Sequence, residues 1–159
     1  MSGISRRTLL RATALLAFAP RAAQARDYSS AGEVLDTIDR LAGDVEAALS
    51  AIAKGVPGAQ PFAASVRADH LRERADRDAI RARLRLPAAP PPGAPAAPAS
   101  SSLDALRSTQ QELVHAHAEG LPAIDDAPAV QALARHMVEA ARRLTVIDLW
   151  IELEAERAG

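Results

Sequence analysis

The fold is decided by SAGEVLDTIDRLAGDVEAALSAIAKGVP, residues 30–57. Ser30 and Glu33 have the spacing of a capping box, which satisfies orphan N–H groups at a helix start. Gly55 followed by Pro57 supplies a stop. Between them Leu35, Ile38, Ala42, Val45, Leu49 and Ile52 recur at intervals of three and four. That spacing stacks them into one apolar seam on a helix from about Ala31 to Lys54. A lone amphipathic helix cannot bury its own stripe, and most helical stability in proteins comes from packing that face, so the seam calls for matching seams elsewhere in the chain.

Three further segments supply them. One runs from about Pro61, a good first-turn residue, to Leu86 just before Pro87, with Phe62, Val66, Ile80 and Leu84 on one face. A third helix starts near Ser102 and ends at Gly120-Leu121-Pro122, with Leu103, Leu106, Gln110, Leu113, Val114 and His117 as its stripe. The fourth follows the N-cap candidates Asp125 and Asp126, carries Pro128 in its first turn and reaches about Arg157. Its stripe is Val130, Leu133, Met137, Ala141, Leu144, Asp148 and Ile151. Leu144–Leu153 is dense in large apolar residues, but a single strand would have nothing to pair with, so it stays helical. The expected fold is all-α: a four-helix up-down-up-down bundle in one domain, residues 26–159. The Pro/Ala-rich stretch 87–101 is a semi-rigid connection expected at one end, between the second and third helices. A three-helix core with a loosely docked arm is the competing architecture.

Composition narrows the chemistry. The 159 residues hold no cysteine, which excludes disulfides, thiolate metal sites, iron–sulfur clusters and a Cys nucleophile. One Trp, one Tyr and two Phe, with no Gly-rich phosphate loop, argue against nucleotide and single-stranded nucleic-acid binding. There is no Gly-x-Ser-x-Gly elbow either, and the balance leans away from an enzyme.

Residues 1–25 stand apart from the fold. Ser5-Arg6-Arg7-Thr8-Leu9-Leu10-Arg11 is a charged region, Ala12–Ala19 is mildly apolar, and Ala23-Gln24-Ala25 offers small residues for cleavage. The stretch is too short and too charged to span a bilayer. It resembles a twin-arginine translocation signal, with Leu9 where Phe is common and Arg11 where Lys is common. The resemblance implies recognition by the twin-arginine translocase, export of a folded chain and a periplasmic location. Removing the segment takes Arg6, Arg7, Arg11 and Arg21 and no acidic residue. The remainder is net acidic, with no electrostatic case for nucleic acid or for a membrane surface after cleavage.

Three histidine–carboxylate pairs lie one turn apart: His70/Glu73, Glu112/His115 and His136/Glu139. At about 100° per residue, Glu112/His115 point away from the third stripe, and His136/Glu139 share a polar face with Arg135, Arg142 and Arg143. The second helix differs. With Phe62 at zero, Asp69 falls at about −20°, Glu73 at about 20° and His70 at about 80°. Carboxylates on a core face are costly unless a metal or a base pairs them. Asp69, His70, Glu73, His117 and Asp148 are therefore candidate ligands for iron, manganese or zinc. The alternative is structural: Arg77 neutralises Glu73, His117 is a hydrogen-bonded core histidine, Asp148 pairs with an arginine, and the run Asp69–Asp78 is a solvated charged face.

A helical bundle with His70/Glu73 and Glu112/His115 resembles the ferritin-like exported proteins. That resemblance implies a di-iron site built from a carboxylate on each of two helices and Glu-x-x-His on the other two. Here the first seam lacks a carboxylate and Glu112/His115 face outward, so a degenerate relative that kept the fold is implied. Finally, Val146, Trp150 and Leu153 lie opposite the fourth stripe, and something must cover them: the arm bearing Tyr28, the Pro-rich link, a second copy or another protein anchored on Trp150. Two functions remain open, a non-enzymatic partner-binding or structural module and a metal-binding or redox protein.

Overall fold

The computed structural model describes residues 27–56, 58–90 and 102–158. The signal residues Arg6, Arg7, Ala23 and Ala25, and 91–101 of the connection, lie outside the described residues. The elements are α1 Ala31–Ile52, α2 Ala59–Leu84, α3 Leu103–Gly120, a 3-10 turn Leu121–Ala123, and α4 Ala127–Ala158. The fold is all-α, and Leu144–Leu153 is part of α4.

The helix ends follow local chemistry. Ser30 Oγ accepts from the Glu33 N–H at 3.3 Å. The Glu33 carboxylate turns back one residue further than a capping box, to the Ser29 N–H and hydroxyl at 2.9 and 2.8 Å, and these bonds hold its pKa below the ordinary range. Ser102 caps α3 through the Ala105 N–H, and Asp126 caps α4 through the Ala129 N–H. Helix α2 starts at Ala59, two residues before Pro61, because Gly58 adopts φ 81° and lets the chain turn in early. It ends with Arg85 at φ 56°, the Arg85 N–H bonded to Ala82 O and the Leu86 N–H to Arg81 O. These are the two bonds of a Schellman cap, built here on arginine instead of glycine.

All six expected α1 seam residues are buried, none more than 4% exposed, and Val34 and Leu41 widen the apolar face. That width reflects neighbours on both sides: α1 packs against α2 and α3, α3 packs against α4, and α2 touches α4 more sparsely. Each fully buried aliphatic side chain stabilises by roughly 1.5–3 kcal/mol, so the α1–α3–α4 contacts hold most of the apolar core.

Direction can be read from cross-contacts. Along α1, Asp36 meets Arg81 and Asp39 meets Arg77, so α2 is antiparallel to α1. Val34, near the start of α1, sits against Gly120 at the end of α3. Gln110 of α3 reaches Ala140 of α4, and Arg107 reaches Asp148. Thus α1 and α4 run one way and α2 and α3 the other. This corrects the expected up-down-up-down order: α3 lies beside α1, and the end of α2 and the start of α3 are at opposite ends of the molecule. The connection expected at one end instead joins both ends.

Candidate functional site

Helix α2 carries an inward face of unusual composition. Its buried positions Ala59, Val66, His70, Glu73, Arg77, Ile80 and Arg81 follow the three-and-four spacing, but its middle is ionic. Burial of such groups is tolerated only when each finds a partner. On the α1 side, Arg77 meets Asp39 at 2.7 Å, Arg81 bridges Asp36 at 2.8 Å and Asp39 at 3.1 Å, and the His70 Nδ1–H donates to Glu46 at 3.1 Å. On the α4 side, Arg143 bonds Glu73 at 2.5 Å and lies 3.4 Å from Asp69. There too the His136 Nε2–H donates to Asp76 at 3.0 Å, and Arg83 meets Asp126 at 2.9 Å. Charge pairs on both flanks therefore align α2 between α1 and α4. Such pairs specify register more than they add stability.

The same layer continues into α3. Gln110 donates to the Ala140 carbonyl at 2.8 Å, and the His117 Nδ1–H donates to its own helix at Leu113 O, also 2.8 Å. The His117 and His136 rings stand edge to face, centroids 6.3 Å apart. Burial pushes the His117 pKa down from 6.5 to about 4; Arg77 and His136 push the same way, while the Leu113 carbonyl and Glu73 oppose. The imidazole is thus neutral near pH 7. Its Nε2 is buried without a protein partner, as are His136 Nδ1, Gln110 Oε1, Arg77 Nη1 and Arg143 Nη1.

The five candidate ligands do not gather. Asp69 is engaged by Arg72 and Arg143, His70 by Glu46, Glu73 by Arg143, and His117 by a backbone carbonyl. Asp148, expected on the core stripe, is bonded to Arg107 at 2.6 Å on the partly exposed flank of α4. Among the described residues no group of three or more His, Cys, Asp or Glu is placed to hold a metal ion. These residues do not fit iron or manganese, because their carboxylates are occupied by guanidinium groups. The structural alternative describes Asp148 and His117 well; for Glu73, however, the neutralising arginine is Arg143 and not Arg77.

Helix α4 is turned by about one residue relative to the expected stripe. Its buried positions are Ala129, Ala132, Leu133, His136, Ala140, Arg143, Leu144 and Ile147. His136 and Arg143, expected on the polar face, are 5% and 6% exposed. Trp150, expected opposite the core, instead packs edge to face on Phe62 of α2, centroids 4.9 Å apart. The missed residues Arg81, His136 and Arg143 sit at three-, four- and seven-residue steps from other buried positions, a signal that polarity masked.

The turn leaves an apolar line on the outside. Val138 and Leu149 are 47% and 50% exposed, and Val146 and Leu153 are exposed on the same face. A shallow groove of about 330 Å³ lies between the end of α1 and the start of α2, lined by Glu46, Ser50, Lys54, Gln60 and Arg67 among others. Among the described residues no helix is long and apolar enough to cross a membrane. Comparison with known proteins finds no matching family model, no matching curated protein and no matching solved structure.

Proposed function

We propose that the chain is an exported, periplasmic helical module that acts without catalysing a reaction, binding a partner through the outer face of α4. The observation that carries this reading is the line Val138, Val146, Leu149 and Leu153, large apolar side chains held in the open on the longest helix. Contiguous exposed apolar surface marks interaction sites, and a helix face is a common docking element. The Arg6-Arg7 signal supports export, and the lack of cysteine suits a chain that folds before it crosses.

We also propose a ferritin-like architecture. Two antiparallel hairpins, α1–α2 and α3–α4, joined by one long crossover are the connectivity of ferritin-like bundles. With Glu73 neutralised by Arg143, this would be a relative that kept the scaffold and replaced the metal by an ion-pair core.

Two measurements test the proposal. Replacing Arg6 and Arg7 together by lysine should leave the chain in the cytoplasm; unchanged export would overturn the twin-arginine assignment. A photo-reactive residue at position 149 should give a discrete cross-linked product in the periplasm, whereas one at position 50 should not. No product from position 149 would overturn the docking face.

A further inference from the structure

We propose that the partner of the α4 face is a second copy of this chain, paired antiparallel across a two-fold axis between Thr145 and Val146. This rests on reading that face as a docking surface and adds the identity of its occupant.

The pattern along the helix is self-complementary. At about 100° per residue, Arg135, Val138, Arg142, Val146, Leu149, Leu153 and Glu156 fall within roughly 40° of one line, and all are exposed. The charge on the line itself is polarised: Arg135 and Arg142 (the latter paired with Glu139 beside the line) lie toward the N-terminal half, and Glu156, flanked by exposed Glu152 and with Arg157 held by Glu154, lies toward the C-terminus. A parallel copy would put like charge on like. An antiparallel copy sets Arg135 opposite Glu156, Val138 opposite Leu153, and the aliphatic stem of Arg142 on Leu149, with Thr145 and Val146 meeting at the axis. The contact is isologous, so it closes on itself as a dimer and leaves no surface to propagate. Rim charges of this kind set partner and register, while the apolar centre supplies the burial.

The absence of cysteine makes the test clean. In sedimentation equilibrium the purified chain should be a dimer that dissociates on dilution. Leu149→Glu should make it monomeric with unchanged helicity, since position 149 is half exposed, and its thermal midpoint should match that of the wild type diluted to monomer. Arg135→Glu or Glu156→Arg alone should weaken the dimer at least about 5-fold, and the two together should restore it. Val146→Cys should form an interchain disulfide on mild oxidation, and Ser50→Cys should not. A monomer at all concentrations, or a double charge swap no better than either single variant, would overturn the second-copy assignment. If a probe at position 149 still cross-linked to a different protein, the docking face would survive and only its occupant would change. If neither occurred, both would fall.

Discussion

Replacing His117 with glutamine removes a buried base that the fold keeps unprotonated. In the native state the ring's pKa is about 4, against 6.5 for an unperturbed ring. The unfolded chain therefore binds a proton that the folded chain refuses as pH falls from about 6.5 toward 4. Stability contributed by keeping the ring neutral is fully present above pH 6.5, declines through that window, and levels off below the native value. One pKa unit is worth about 1.4 kcal/mol, so the two values imply a loss of about 3 kcal/mol between pH 7 and pH 4. Glutamine occupies similar space and does not titrate. Urea unfolding at pH 7, 6, 5 and 4 should thus give the wild type a pH-dependent loss larger than that of His117→Gln by about 3 kcal/mol. Equal pH dependence of the two proteins would refute the reasoning, because Asp39, Glu73 and the other carboxylates remain in both.

Other consequences of the packing can be measured in the same way. Glu73→Gln should cost about 3 kcal/mol in urea unfolding, since it leaves the 6%-exposed Arg143 short of its partner. Glu73→Leu combined with Arg143→Met should recover most of that loss. A Cβ on Gly120 would overlap a Val34 Cγ methyl and come within 3.1 Å of the other. Gly120→Ala should therefore lower stability by about 1–3 kcal/mol, and Val34→Ala in the same chain should cost less than it does alone. Arg85→Gly should raise stability by about 0.5–1 kcal/mol by relieving the left-handed backbone at φ 56°; a fall in stability would mean that the side chain, not the backbone, decides that cap.

How far the sequence could be read differs from helix to helix, for physical reasons. In α1 the apolar residues occur in one register only, so Leu35 to Ile52 identified the buried face without ambiguity. In α3 a polar residue, Gln110, shares the stripe, yet Leu106 and Leu113 on either side fixed the phase. In α4 two faces are apolar, Leu144 with Ile147 and Val146 with Leu149 and Leu153, and the alanine-rich first half does not choose between them. What chooses is remote: Asp76 and Glu73 of α2 wait for His136 and Arg143, and no local pattern reveals a partner 60 or 70 residues away. The same remoteness hid the ionic middle of α2. Glu73 could be placed on the core face from its spacing, but which groups neutralise it and its neighbours could not, because Asp36, Asp39 and Glu46 of α1 and Arg143 of α4 supply the partners. Those carboxylates come from the flank of a helix whose seam is itself purely apolar.

Because α2 and α3 point the same way, the chain between them works as a tether whose length is a folding requirement. Leu86 lies beside Gly32 at one end of the molecule. Leu103 begins an 18-residue helix that finishes against Val34 near that same end. At about 1.5 Å per helical residue the tether has to climb about 27 Å, and a fully stretched chain gains about 3.3 Å per residue. Roughly ten residues are the least that can reach once the sideways step is included, so positions 87–101 hold a few to spare. Shortening them past that limit would leave the two hairpins intact but unable to embrace within one polypeptide, and each would have to trade its mate with a neighbour's.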